Sequence, residues 1–234
     1  MMNVFKKISD ILEFYLYNRN VIGIGTGRTI TSILEELKRS ELMSNKLFVT
    51  TSLDSEIKLR DFGARVLSIS GVSKVDIYID SFDIYRQNEF LIKGGGGAFF
   101  REKLLASMSK ENIFVGDEKK RIVSDKYYVP IEVIPSALTF ALDTLRKEFK
   151  NVVLRSSSGK MGPVISDNGN VIIDVEISGE KICSAESELK KIIGVVETGI
   201  FCTQLIDKII LYNEFGHLEI IEKSRKGIKQ SYST

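Results

Sequence analysis

Short apolar runs alternate with helix-periodic segments from Val4 to Gly116, and few folds accommodate that rhythm. Val4, Ile8, Ile11, Leu12 and Tyr15 recur at the spacing of one helix face. "NVIGIG" then reads as a buried strand, and Ile30, Ile33, Leu34 and Leu37 mark one face of a helix from Thr29 to Leu37. "KLFVTTS" is a second strand, followed by a helix that stops at Gly63, since glycine accepts the left-handed conformation that ends many helices. "ARVLSI", "VDIYID" and "FLIK" are further strands, "AFFREKLLASMSK" a helix and "NIFVG" another buried strand. Strands that alternate with helices in this way predict an α/β fold with a parallel sheet, because parallel neighbours need a crossover between them.

After about Tyr127 the pattern changes. "YVPIEVIPSALTFAL" holds Pro130 and Pro135, two of the three prolines. "NVVLRSS" and "VISDNGNVIIDV" follow, and Asn168-Gly169 predicts a two-residue type I′ hairpin turn. A short helix near 185–192 completes a β-rich stretch with two helices, and "KIILYN" and "HLEIIEK" read as strands returning to the first domain. The expected organisation is an α/β domain of residues 1–126 and 198–234, with a smaller α+β domain inserted at 127–197.

The 234-residue length can bury a real core, and 43% hydrophobic with 27% charged residues is ordinary for a soluble globular chain. A net charge of +2, spread along the chain, gives no electrostatic case for nucleic acid or an anionic membrane. "MMNVFKKISD" lacks the apolar core of a signal peptide, so a cytoplasmic location is expected. Cys183 and Cys202 show no metal-ligand spacing, and buried free thiols are expected rather than a disulfide. With His217 the single histidine, a zinc site has too few ligands, and acid–base chemistry falls to carboxylates and lysines.

Three motifs can carry that chemistry. "GIGTGRT" joins a strand to a helix, which aims backbone N–H groups and the positive helix end at an anion. A dinucleotide fingerprint would need glycine where Arg28 stands and an acid where Thr50, Thr51 and Ser52 end the second strand, so the loop suits a phosphate. Taken alone it equally fits a tight strand–helix turn. "DIYIDSFD" places Asp80 and Asp83 at the C-terminal end of a strand, the edge where parallel sheets hold ligands. "LIKGGGGAFFREK" ends a strand at Lys93 on the same presumed edge, bares four glycines that let backbone approach a ligand, and sets Glu102 early in the next helix. In isolation the two aspartates read as a solvated turn with Asp83 capping, and Glu102 as a surface ion pair within "REK"; with Lys93 around a phosphate loop they form a metal-independent acid–base kit.

Those motifs, with "TTSLDSE", "VGDEKK", "PIEVIP", "VISDNGNVIIDV" and "GVVETGIF", occur in the order found in the A-type ribose-5-phosphate isomerase family, which the chain resembles over nearly its whole length. The resemblance implies a Rossmann-like parallel-sheet domain with the inserted α+β domain, a homodimer or homotetramer, and no cofactor or metal. It implies that Glu102 is the catalytic base, that Lys93 steadies the oxyanion, and that Asp80 and Asp83 are the family's two motif aspartates, one or the other of which assists ring opening and hydroxyl proton transfer. Gly25, Thr26, Gly27, Arg28 and Thr29 would form the phosphate loop, Lys120 would add a phosphate contact, and Lys6 or Lys7 another. Backbone at Gly94, Gly95 and Gly96 would contact the reacting end of the sugar.

The chain departs from the family pattern in three places. The usual D-G-A-D-E reads Asp80-Ser81-Phe82-Asp83-Ile84, Arg28 replaces a serine, and Ile193 replaces a proline before Gly194. The implied activity is reversible conversion of ribose 5-phosphate to ribulose 5-phosphate through an enediolate. The alternatives are a non-catalytic sugar-phosphate sensor and a nucleotide-binding subunit. A sensor could dispense with Glu102 and Lys93, which this chain keeps.

Overall fold

The computed structural model describes residues 4–157, 159–223 and 229–233. In chain order its first elements are α1 (Val4–Leu16), β1 (Val21–Ile24), α2 (Arg28–Leu37), α3 (Leu42–Asn45), β2 (Leu47–Thr50), α4 (Leu53–Asp61), β3 (Arg65–Leu67) and β4 (Ile77–Ser81). Then come β5 (Ile84–Arg86), β6 (Phe90–Ile92), α5 (Phe99–Met108), β7 (Asn112–Asp117), β8 (Lys126–Val133), α6 (Leu138–Glu148), β9 (Val152–Leu154), β10 (Ser156–Ser157) and β11 (Lys160–Pro163). The last are β12 (Val171–Ser178), α7 (Ile182–Leu189), β13 (Val195–Thr198), β14 (Ile200–Cys202), β15 (Lys208–Tyr212), β16 (Leu218–Lys223) and β17 (Lys229–Ser233). Contacts divide the chain into two compact units: Met1–Phe82, Arg101–Lys120 and Thr203–Thr234 in the first, Asp83–Phe100 and Arg121–Cys202 in the second.

The first unit is built on an eight-stranded sheet in the order β17-β16-β15-β7-β4-β1-β2-β3. The strands from β3 to β15 are parallel, while β16 and β17 add antiparallel at one edge. Counted along the chain, the six parallel strands lie in the order three-two-one-four-five-six, the Rossmann-like arrangement, whose order reverses between β1 and β4. Near-continuous burial of β1, β2, β4 and β7 is what a sheet covered on both faces demands of its strands. Ile30, Ile33, Leu34 and Leu37 of α2 and Ile8, Leu12 and Leu16 of α1 pack with Ile22, Phe48, Ile77 and Ile113 in one core. The helix faces expected from the sequence are therefore the buried ones. Gly63, at φ +80°, follows α4 as its spacing predicts.

In the second unit, β13-β8-β12-β9 form an antiparallel sheet, and β14-β6-β5 form a smaller one. Alternation in β8 buries Tyr127, Val129, Ile131 and Val133 with Ala141 and Leu145 of α6 and Ile182 and Leu189 of α7. The opposite face of the same sheet carries Tyr128, Pro130, Glu132, Ile172 and Asp174.

Three local expectations are corrected. "FLIK" is not a strand of the parallel sheet: β6 pairs antiparallel with β5 and β14, so Lys93 follows a strand of the three-stranded sheet. The turn at "DNGN" is not type I′, because Gly169 has φ +80° whereas the only described non-glycine residue at positive φ is Asn88. Instead Ser166 N–H donates to Asn170 O at 2.8 Å, enclosing a three-residue loop that closes through Gly169. Asn168 and Asn170 use their side-chain amides on Oε1 of the buried Glu132, at 3.0 and 2.8 Å, beside Ser166 Oγ at 2.8 Å. The motif thus closes a hairpin over a buried carboxylate that would otherwise lack donors. Finally, Cys183 and Cys202 form a disulfide, with Cα atoms 6.0 Å apart, and are not free thiols. Packing of α7 on β14 brings the two together. That helix occupies Ile182–Leu189, earlier than the stretch near 185–192 expected from the sequence.

Candidate active site

In the first unit the order reversal lies between β1 and β4, and the carboxyl ends of these strands carry the candidate groups. Past β1 the chain turns through Gly25, Thr26 and Gly27 into α2. Gly25 N–H donates to Ile79 O at 2.9 Å, and Gly27 takes φ +104° as the residue preceding the helix. Among the described residues no side chain caps that helix end, which leaves its first N–H groups suited to an anion. Arg28 opens α2 and is exposed; Thr29 is buried, its hydroxyl 3.3 Å from Tyr212 Oη. Ser52 Oγ donates to Thr26 Oγ1 at 2.9 Å, and Ser55 Oγ to Gly25 O at 2.7 Å, which ties the loop to the start of α4.

Asp80, in β4, is fully buried. Its Oδ1 accepts from Thr26 N–H at 3.2 Å and Ser81 N–H at 2.7 Å, and its Oδ2 accepts from the Tyr78 hydroxyl. These donors satisfy the hydrogen-bonding needs of a side chain that has no access to water. Burial pushes the Tyr78 phenol well above its ordinary range, reinforced by the charges of Asp80 and Glu102. It therefore remains a protonated donor. Glu102, in the first turn of α5, is 4% exposed, so the surface ion pair that "REK" suggests in isolation is not its setting. Lys120 donates to the Phe82 carbonyl from just past β7, and its Nζ lies 5.7 Å from the Phe82 ring centroid. Lys6 pairs at the surface with Asp10 at 2.7 Å, whereas Lys7 donates to Gly216 O at 3.0 Å.

In the second unit, Asp83 stands in the turn before β5, and its Oδ2 accepts from Gly95 N–H at 2.7 Å. Lys93 is 2% exposed, with Nζ 5.8 Å from the Phe201 ring centroid and its N–H on Gly199 O at 2.9 Å. Gly94 and Gly97 both have positive φ, which accounts for glycine at the two ends of the run. A Cβ on Gly95 would press on the Asp83 carboxylate at 3.1 Å; one on Gly96 would meet nothing within 4 Å. The loop borders a cavity of about 450 Å³ whose lining includes Asp83, Lys93, Gly95, Tyr128, Arg155 and Asp174.

The structure thus joins Gly25, Thr26 and Asp80 by direct contact in one unit, and Asp83 and Gly95 in the other. It also adds residues that the sequence reading missed. Tyr78 lies two residues before Asp80 on the same strand face, a period-two relation that flags it in hindsight. Arg155 and Asp174 come from "VLRSS" and "VIIDV", where neither carries a local signal.

A family model described as ribose 5-phosphate isomerase A (phosphoriboisomerase A) matches residues 47–216. Ribose-5-phosphate isomerase A of Methanococcus maripaludis is 39% identical over 197 residues, covering 82% of this chain and 81% of the relative. The structure of ribose 5-phosphate isomerase A from Methanocaldococcus jannaschii superposes with a TM-score of 0.81 at 30% identity, covering 99% of this chain and 98% of that one. A D-ribose-5-phosphate isomerase in complex with phospho-erythronic acid gives 0.83 at 33% identity, covering 94% of this chain and 100% of that one. The glycine loop beside a buried Asp80, the bared glycines after Lys93 and the buried Glu102 therefore sit in a sequence and a fold of one lineage: the chain belongs to the ribose 5-phosphate isomerase A family.

Proposed function

We propose that the chain interconverts D-ribose 5-phosphate and D-ribulose 5-phosphate, with Glu102 as the base. The observation that carries this reading is the family match across residues 47–216, a span holding Asp80, Asp83, Lys93, Glu102 and Lys120. The relative solved with phospho-erythronic acid, a sugar-acid phosphate, supports a ligand of the same chemical class.

The chemistry follows from the groups present. In the open-chain aldose the C1 carbonyl acidifies the C2 proton. Glu102 takes that proton, the C–H electron pair becomes the C1–C2 double bond, and the carbonyl electrons move onto O1 as an enediolate. Return of the proton to C1 and loss of the O2 hydroxyl proton leave a ketone at C2. Lys93 supplies a buried cation for the enediolate oxygen, an interaction strengthened by exclusion of water. Asp80 and Asp83 serve ring opening, which moves a proton from the anomeric hydroxyl to the ring oxygen, and transfer between O2 and O1. The phosphate sits at the Gly25–Thr29 loop, held by the N–H groups of Gly27, Arg28 and Thr29 at the start of α2, with Arg28 and Lys120 as cations, and backbone at Gly94, Gly95 and Gly96 lies against the reacting end.

Every step is a proton transfer of a kind that carboxylates, a lysine and N–H groups perform, so the proposed mechanism calls for neither metal nor organic cofactor. We also propose a homodimer or homotetramer acting in the cytoplasm. The exposed Phe14 and Tyr17, together on the first unit's surface, support self-association, and sedimentation equilibrium tests it. Among the described residues, no helix is long and apolar enough to cross a membrane.

The deciding experiment follows ribulose 5-phosphate formation from ribose 5-phosphate with EDTA present, for wild type and Glu102→Gln. Loss of a positioned base lowers kcat by about a thousandfold with little change in KM. Near wild-type turnover in the variant removes Glu102 as the base, and inactivity reversed by added metal overturns the cofactor-free mechanism.

A further inference from the structure

The Gly94–Gly95 peptide is gripped at both ends. Its oxygen, Gly94 O, accepts from Arg155 Nη1 at 2.6 Å and from Gly97 N–H at 3.0 Å. Its N–H, on Gly95, donates to Asp83 Oδ2 at 2.7 Å. In a trans peptide the C=O and N–H point in opposite directions, so anchoring the oxygen dictates where the N–H aims. Gly94 stands at φ +110°, and a Cβ there would lie 2.6 Å from the Phe99 ring and 2.8 Å from Pro130. The position therefore excludes side chains, and with none to fix the peptide plane, neighbouring groups must hold it.

Arg155 is itself held in a fixed attitude. Its Nε donates to Asp174 Oδ2 at 2.7 Å and its Nη2 to Asp174 Oδ1, a two-point pairing that leaves Nη1 directed at Gly94. The two side chains are 18% and 23% exposed and line the cavity shared with Asp83 and Lys93. Antiparallel pairing of β9 with β12 sets Asp174 opposite Val153, two residues before Arg155, so the sheet presents both partners on one face.

We propose that Arg155 and Asp174 are a positioning pair for the isomerase reaction: through the Gly94–Gly95 peptide they aim the Gly95 N–H at Asp83 and hold that carboxylate where it moves hydroxyl protons. The inference rests on the reading of Asp83 as a proton-transfer group. It also explains why arginine stands at 155. A lysine would keep the charge but, without the planar fork, could not engage both Asp174 oxygens while reaching Gly94 O.

The test measures kcat, KM and thermal melting for Arg155→Ala, Arg155→Lys, Asp174→Asn, Asp83→Asn and the double variant Arg155→Ala/Asp83→Asn. The kcat of Arg155→Ala should fall about a hundredfold, as for a displaced reacting group, with KM little changed. Millimolar guanidinium should restore part of that loss, a response that a purely structural arginine would not give. Asp83→Asn should also lower kcat, with no further fall in the double variant, because both changes act on one group. Losses that multiply in the double variant, or a folded Arg155→Ala that guanidinium does not rescue, overturn the positioning role alone. If Asp83→Asn keeps wild-type kcat, the reading of Asp83 falls and takes the inference with it. Should Arg155→Ala melt below the assay temperature, Arg155→Lys decides: a lowered kcat at unchanged KM supports the role, and wild-type kcat overturns it.

Discussion

A methyl group built on Gly25 would lie 1.9 Å from both Cγ and Oδ1 of Asp80. The carboxylate has no easy retreat, because Thr26 N–H, Ser81 N–H and the Tyr78 hydroxyl all hold it in a buried place. Glycine at 25 is thus what allows an aspartate at the end of β4 to lie against the end of β1. Gly25→Ala should displace Asp80, destabilising the chain by about 1–3 kcal/mol as overpacking does. With Asp80 in the proton-transfer role proposed for it, the same displacement should also lower kcat about a hundredfold. Urea unfolding and steady-state kinetics on the same preparation check both effects, and a variant with wild-type kcat shows that Asp80 need not occupy this position.

Much of this was legible in the sequence because it is local. The strand, the Gly25–Gly27 turn and the face of α2 follow each other along the chain, so period and turn chemistry reveal them together. The setting of Lys93 is hidden for the opposite reason. "FLIK" has the same apolar character in a parallel sheet or in an antiparallel hairpin, and its partner β14 lies far along the chain. Asn168 followed the wrong precedent because its amide has a long-range use on Glu132, 36 residues away. Arg155 gave no signal, since the partners that give it meaning, Gly94 and Asp174, are 61 and 19 residues distant. Residue type indicated which groups can move protons; only tertiary structure shows what holds them.

Lys120 has two possible duties that kinetics can separate. It donates to the Phe82 carbonyl and lies over the Phe82 ring, which steadies the chain just after β4. If its charge also holds the substrate phosphate, Lys120→Ala should raise KM about tenfold, the worth of one modest charge-assisted bond, with kcat nearly unchanged. An unchanged KM, accompanied by a loss of about 1.5–3 kcal/mol of stability, assigns it to the Phe82 carbonyl alone.

The Cys183–Cys202 disulfide closes a loop of 19 residues between α7 and β14. Cross-linking a loop of that size restricts the unfolded chain and stabilises the fold by about 3 kcal/mol. Reduction, or Cys183→Ser, should therefore lower Tm by roughly 6–12 °C for a chain of this length. Comparison of melting curves with and without dithiothreitol checks it. A shift under reductant in wild type that is absent in Cys183→Ser assigns the effect to this bond.

Asp76 supplies a stability change that depends on pH and lies apart from the candidate active site. Its carboxylate accepts from Lys110 Nζ at 2.7 Å and from Asn20 and Val21 N–H at 2.9 and 3.1 Å. The Lys110 hydrogen bond, then the two N–H groups, lower its pKa from 3.8 to about 2. A depressed carboxylate contributes its full stabilisation above the unfolded value and loses it as pH falls through the folded one, here between about pH 4 and pH 2. The shift corresponds to about 2 kcal/mol at most, and to about 1 kcal/mol once screening of the exposed Lys110 ammonium is allowed for. Asp76→Asn should accordingly be less stable than wild type at pH 6 by that amount, with the difference shrinking towards pH 2. Urea unfolding of both proteins across this range tests the sign directly: a gap that widens on acidification contradicts the assignment of the carboxylate as the stabilising form.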